Sequence, residues 1–268
     1  QWLTAEAAVH LAVHHINERN FSVVGQEVGA ALTPGFRLEL VYYPGLSSDA
    51  PNLGQRAAED VYAAHSNDGA IAVIGPYTSR EALQAASVAS VLQVPLMSFT
   101  SSSTELNDRQ EYPFFKRINP DAEYDARTLA SVVARYGWNQ FGFIVSDDAY
   151  GRNMEDEMKP AADDWGLQMT PFVVPFNDAE GMAQRVEAMV ASQLRIFVTA
   201  VYSIDIAMLM QQANSAGIMG PGYVWLCIQA DPSQALNDTV NSAADVAALR
   251  PNMQGVLWLR NSIKDGVG

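Results

Sequence analysis

Cysteine is almost absent: Cys227 stands alone in a chain of 268 residues. One thiol excludes an internal disulfide framework, so a buried apolar core must hold the fold. Cys227 lies in the apolar run Tyr223 to Ile228 and reads as a small core residue. A catalytic thiol is the alternative, with no His near it in sequence. Cations are scarce as well. Sixteen Lys and Arg face 30 Asp and Glu, for a formal net charge of −14. That balance argues against nucleic acid and anionic membrane as main partners, since both need clustered Lys and Arg. No apolar run approaches the ~18 uncharged residues of a membrane-spanning helix. Gln1 to Asn20 lacks the apolar segment of a signal peptide and reads as an amphipathic helix. There is no G-x-S-x-G elbow, no phosphate-binding GKS or GKT loop and no zinc cluster. No residue set supports catalysis, so neither an enzyme nor a cofactor is expected.

What is present is ordinary for a soluble globular protein: 49% apolar and 17% charged residues. Short β-rich runs alternate with helical periods. Strands are predicted at Phe36 to Tyr43, Ala70 to Gly75, Pro95 to Phe99, Phe114 to Ile118, Gln140 to Val145, Leu167 to Val173, Arg195 to Thr199, Tyr223 to Ile228 and Gly255 to Leu259. Between them lie helices with start and stop signals. Ala126, Leu129, Ala130 and Val133 share a face before Gly137, and Met182, Val186, Met189 and Val190 share another. Ile206, Leu209, Met210 and Ala213 lie between an N-cap at Ser203 and a stop at Gly217. Such alternation predicts an α/β fold of parallel sheets covered by helices.

Asn119-Pro120 interrupts the alternation, and proline disfavours helix in the residue before it. This suggests two Rossmann-like lobes: residues 1–120 as lobe one, 121–250 as lobe two, and 251–268 as a segment returning into lobe one. The first helix has no strand before it and the last strand no helix after it, so the chain reads as truncated at both ends. Two N-x-S/T sequons, at Asn20 and Asn237, would suit an extracellular surface.

Ligands of open α/β sheets bind beyond the carboxyl ends of strands. Two lobe-one turns fit that place, Gly75 to Leu83 and Ser98 to Leu106. Thr78 with Glu81, and Ser102 with Glu105, have capping-box spacing. Free N–H groups and hydroxyls at a helix N-terminus would seat an anion such as a carboxylate. Thr78 and Ser102 are also explained by capping alone. Ser79, Thr100 and Ser101 are not needed for it, which favours a binding role. Arg80 reads as a solvated helix-face residue. His10 and His14, four apart on a helix, could share a metal, but no metal site is expected there. Asp147 and Asp148 read as a solvated pair on an open turn.

From Ala72 to Asn153 the motifs GPYTS, VPLMSF, ELND, YPFFKR, YGW and DAYG follow one another in order. This stretch resembles the ligand-binding region of class C G-protein-coupled receptors and natriuretic-peptide-type receptors. Periplasmic amino-acid-binding proteins share the fold, but YPFFKR and RYGW look more like the receptor branch. The resemblance implies a Venus-flytrap domain of the periplasmic-binding-protein-like type I fold, with a small-molecule ligand in the cleft between the lobes. It implies carboxylate contacts at Ser79 and Ser102, with Thr100 at a neighbouring contact. From lobe two it implies contacts at Tyr150, in the DAYG turn, and at Tyr202. The slot for an Asp that holds a ligand amino group falls on Ala122, one residue after Asp121. The basic contact of the first helix falls near Ala5 and a distal acidic contact near Gln229, so a glutamate-like ligand fits poorly.

The resemblance therefore implies a receptor ectodomain at the extracellular face of the plasma membrane. It would close on a small amino-acid-like or carboxylate ligand, dimerise through lobe one, and be anchored only through segments outside these residues. Coupling to a G protein or to a cyclase is left open. A soluble binding protein feeding a transporter is the first alternative, and an interaction module whose cleft has lost its ligand is the second.

Overall fold

The computed structural model describes residues 2–22, 25–43, 52–228, 230–236 and 242–259. The chain opens with α1 (Trp2–Asn17), α2 (Gln26–Ala31) and α3 (Leu53–Ser66). Next come β1 (Val73–Ile74), α4 (Ser79–Leu92), β2 (Leu96–Ser98), a 3₁₀ turn at Thr104–Asn107 and β3 (Phe115–Arg117). These strands form a parallel sheet in the order β1-β2-β3. One face is covered by α3 and α4, where Val61, Ala82, Ala85, Ala86 and Ala89 pack against Leu96 and Phe115. Small residues on α4 let the helices lie close. A Cβ at Gly54 of α3 would come within 3.0 Å of the Arg80 carbonyl. On the other face Ile74 and Met97 are register neighbours and stay 55% and 43% exposed.

The run Phe36 to Tyr43, expected as a strand, pairs with no strand among the described residues. It is extended chain tied to α1 instead: Asn17 Nδ2 donates to the Leu38 carbonyl at 2.9 Å, and the Leu38 N–H donates to Asn17 Oδ1 at 2.8 Å. A side-chain amide thus meets the backbone groups that a neighbouring strand would otherwise satisfy.

After the crossover at Asn119-Pro120 the pattern is regular. In order come α5 (Ala122–Arg135), β4 (Gln140–Ser146), α6 (Ala149–Asp164), β5 (Gln168–Val174), α7 (Ala179–Ala191), β6 (Ile196–Ala200), α8 (Ser203–Ser215), β7 (Val224–Ile228), α9 (Ala243–Leu249) and β8 (Val256–Trp258). The five strands are all parallel, in the order β5-β4-β6-β7-β8. The inner strands are apolar on both sides, as a sheet between two helical layers requires. Phe197 and Trp225 face the layer holding Val186, Met189, Leu209 and Met210. Their neighbours Val198 and Leu226 face the layer holding Ala126, Leu129, Met154 and Met158. Gly137 (φ 71) and Gly217 (φ 74) end α5 and α8 in the left-handed region that glycine adopts without strain.

Two expectations are corrected here. Residues 256–258 pair with β7, so this part of 251–268 belongs to the second sheet and does not return to the first. The pairing begins where the Trp225 backbone N–H donates to the Gly255 carbonyl at 3.0 Å. The cap of α8 is Tyr202, one residue before Ser203, and it caps without a side-chain bond.

Candidate functional site

The first turn leads from β1 into α4. Thr78 caps α4 by a full capping box, taking the Glu81 N–H while the Glu81 carboxylate takes the Thr78 N–H at 2.8 Å. Ser79, the first residue of the helix, is 2% exposed. The second turn runs from β2 through Thr100, Ser101, Ser102 and Ser103. Its hydroxyls stitch it to the first: Ser98 donates to the Pro76 carbonyl at 2.9 Å, Ser101 to the Thr78 carbonyl at 3.0 Å, and Thr100 to the Tyr77 carbonyl.

The second turn departs from expectation. Ser102 and Glu105 form no capping box, because the next element is a 3₁₀ turn of four residues capped at Ser103 without a side-chain bond. Only the first turn therefore ends in an α-helix. Ser102 Oγ is left buried with no partner among the described residues, in a residue 4% exposed. An orphaned buried hydroxyl costs free energy unless something else meets it.

The facing half comes from the second sheet. With β5 outside β4 and β6 on its other side, the strand order reverses between β4 and β6. In open α/β sheets the crevice at such a reversal is the binding place. The turns after those two strands carry Asp148 and Tyr150, and Tyr202 and Asp205. Asp148 caps α6. Its Oδ1 accepts from the Ser146 hydroxyl at 2.7 Å and the Gly151 N–H at 2.9 Å, and its Oδ2 accepts from the Tyr202 hydroxyl at 2.9 Å. The solvated reading thus holds for Asp147, which is exposed and pairs with Arg152 at 2.9 Å, and is overturned for Asp148. Gly151 is sterically required: a Cβ there would lie 1.9 Å from the Ser146 carbonyl oxygen.

The rings of Tyr150 and Tyr202 stand 5.3 Å apart, and Phe176 packs edge-on to Tyr202 at 6.1 Å. Burial, then Asp125 and Asp148, then Tyr77 from the first turn, hold the Tyr150 phenol well above its ordinary pKa. Burial, then Asp148, then Tyr150 and Tyr77 do the same for Tyr202. Both phenols are neutral at physiological pH. Burial also pushes the carboxyls of Asp125 and Asp205 up to about 6.

The lobes are joined a little further along by Thr104. Its N–H donates to Asn153 Oδ1 at 3.1 Å, its hydroxyl donates to Glu157 at 2.8 Å, and Asn153 Nδ2 donates back to it at 2.8 Å. Asp121 is the cap of α5, accepting the Tyr124 N–H at 3.0 Å, and Ala122 is fully buried. Gln229 and Asn237 lie outside the described residues, as does the side chain of Ala5. Among the described residues no group of three or more His, Cys, Asp and Glu could hold a metal ion, and no helix is long and apolar enough to cross a membrane.

Sequence reasoning placed Ser79, Thr100, Ser101, Ser102, Tyr150 and Tyr202 in these turns. It missed Asp125, Asp205 and the Thr104–Asn153–Glu157 contact. Asp205 had a partial signal as an acid in the first turn after a strand at the sheet reversal.

Two helix-covered parallel sheets with a crossover between them define a two-lobed α/β domain. The chain belongs to the receptor family ligand-binding region, whose family model matches residues 4–265. It is 30% identical over 200 residues to Glutamate receptor 3.1 of Oryza sativa subsp. japonica, covering 71% of this chain and 20% of that protein. It is 27% identical over 168 residues to the Extracellular calcium-sensing receptor of Mus musculus, covering 62% and 15%. With Glutamate receptor 2.2 of Arabidopsis thaliana the identity is 23% over 235 residues, covering 86% and 24%. The chain thus spans a quarter or less of these curated relatives.

Proposed function

We propose that this chain is the extracellular ligand-binding domain of a membrane receptor, closing on a small amino-acid-like or carboxylate ligand. Lobe one, to residue 120, supplies the seat: Ser79, Thr100, Ser101 and Ser102. Lobe two, from residue 121, supplies Tyr150 and Tyr202. The observation that carries the reading is the buried, unpartnered Ser102 hydroxyl in the turn stitched to Ser79's helix, with neutral phenols near that helix's own turn. Hydroxyls and the N–H groups of α4 suit a carboxylate. Closure results because only the closed form lets one ligand touch both turns, and a ligand shifts the balance by its extra contacts in that form. The receptor names of the relatives support the same reading over that of a transporter's soluble binding protein. Dimerisation through lobe one is part of the proposal, with Ile74, Met97 and Ile118 as its exposed apolar side chains.

The test is a thermal-shift panel of the standard amino acids and γ-aminobutyrate, then calorimetry on the compound giving the largest shift. Ser79→Ala and Ser102→Ala should each weaken binding by roughly 1–3 kcal/mol, the usual loss for a hydrogen bond to a charged group. A panel without any shift, or both variants binding like the parent, overturns the proposal.

A further inference from the structure

The carbonyl groups of the Ser-rich turn are bound from one segment of the chain. Asn119 Nδ2 donates to the carbonyls of Thr100 at 3.1 Å and Ser101 at 3.3 Å. Arg117 Nη1 donates to those of Ser101 at 3.3 Å and Ser103 at 2.9 Å. The remaining carbonyl, on Ser102, accepts the N–H of Ala122 at 2.8 Å. All these donors lie between residues 117 and 122, the stretch that ends β3 and begins α5. Asn107 locks the same segment: its carbonyl oxygen accepts from Arg117 Nη2, and its Nδ2 donates to Asp121 at 3.0 Å.

Asn119 is held for its donor side. The same Nδ2 also faces the Pro120 carbonyl at 2.9 Å, so two N–H bonds are shared among three carbonyl oxygens. Its own Oδ1 is buried with no partner among the described residues. Turning the carboxamide over would set its oxygen against those three carbonyls, so the orientation is fixed. A buried acceptor is left bare while every available proton goes to a carbonyl beside it.

We infer that Arg117 and Asn119 are positioning residues for the ligand seat, fastening the 100–103 turn to the crossover so that seat and crossover move as one body. The inference rests on the seat proposed above. Neither residue needs to touch the ligand. The turn's side chains reach forward to the carbonyls of residues 76–78, while its main chain is gripped from behind by the segment that lobe two hangs on. Through the Ala122–Ser102 bond, a rotation of α5 pulls on the backbone that carries the Ser102 hydroxyl. Closure and seat geometry are thereby one event, which is what a receptor needs if binding is to be read as lobe position.

Hydrogen exchange without ligand tests the fastening. The amides of Ser101, Thr104 and Ala122 are reporters, being bonded to Ser98, Asn153 and Ser102 respectively, and β4 is the internal control. Asn119→Ala and Arg117→Lys should each speed exchange of the reporters about tenfold and leave β4 unchanged. Arg117→Lys keeps the charge but replaces the fixed guanidinium fork by a single flexible donor, and it stands in if Asn119→Ala fails to fold. Unchanged reporters in a folded variant overturn the inference. The second arm is a double-mutant cycle on the best panel compound. If Asn119 acts through the seat, Ser102→Ala/Asn119→Ala loses clearly less affinity than the product of the single losses. Losses that multiply overturn the positioning role. Ser102→Ala binding like the parent would fault the seat itself, and faster reporters in Asn119→Ala would then still uphold the fastening.

Discussion

Replacing Asp205 by Asn isolates a charge that the fold holds against its preference. The side chain is fully buried. Its Oδ1 accepts the Asn177 N–H at 2.9 Å, and its Oδ2 is buried without a partner among the described residues. Burial, with Asp148 adding like-charge repulsion, raises its pKa from 3.8 to about 6, against the opposing effect of the Asn177 bond. A difference of about two pH units, at ~1.4 kcal/mol each, is about 3 kcal/mol. The raised value sets the sign. Below pH ~4 the carboxyl is protonated in both folded and unfolded chains and carries no penalty. As pH rises from about 4 towards about 6 the unfolded chain ionises and the folded one does not, so stability falls, and the loss levels off once the folded carboxyl ionises above about 6. The Asp205→Asn variant has no such loss. Its amide has its own desolvation cost, but that offset is the same at every pH. The stability difference, variant minus parent, should therefore grow by about 3 kcal/mol between pH ~4 and ~7.5. Urea unfolding of both proteins across that range measures it, and Asp125 cancels because it is common to both. Parallel pH profiles would refute the reasoning and mean that water or another donor reaches Oδ2.

Tyr202→Phe removes one of three donors from Asp148 and should cost about 1 kcal/mol in urea unfolding, the net worth of one hydrogen bond, and should lower affinity for the best panel compound. Gly151→Ala places a Cβ 1.9 Å from the Ser146 oxygen and should destabilise by about 3 kcal/mol, as overpacking against backbone does, read as a lowered thermal midpoint by circular dichroism. Thr104→Ala removes the hydroxyl that ties lobe one to Asn153 and Glu157 of α6, so small-angle scattering of the ligand-free protein should show a larger radius of gyration with the secondary structure unchanged.

The alternation of apolar runs and helices was enough to read the helix-covered parallel sheets, because such sheets demand strands that are apolar on both faces. Phe141 to Val145 and Tyr223 to Ile228 are such runs, and each forms the strand predicted for it. The failures are failures of partnership. Phe36 to Tyr43 has the composition of a strand, but its Leu38 meets Asn17, and nothing in the run itself names that side chain. Val256 to Trp258 was recognised as a strand and assigned to the wrong sheet. The deciding contact, Trp225 to Gly255, joins positions thirty residues apart.

At the site the division between local and distant is sharper still. Thr78 and Glu81 cap α4 as their spacing says, because a capping box needs only the turn that contains it. Ser102 and Glu105 are spelled the same way and do not cap. Ala122 takes the Ser102 carbonyl, Arg117 and Asn119 take the carbonyls on either side, and the chain passes into a 3₁₀ turn in place of an α-helix. The hydroxyl that a cap would have satisfied is left over. A serine that looks like a cap in sequence and is orphaned in the fold is the one worth testing as a ligand contact. Asp148 makes the converse point. It looks like half of a solvated pair, yet three donors converge on it from β4, α6 and Tyr202. Its neighbour Asp147 faces outward to Arg152. Two adjacent, chemically identical side chains are separated only by which of them the end of β4 turns toward the cleft.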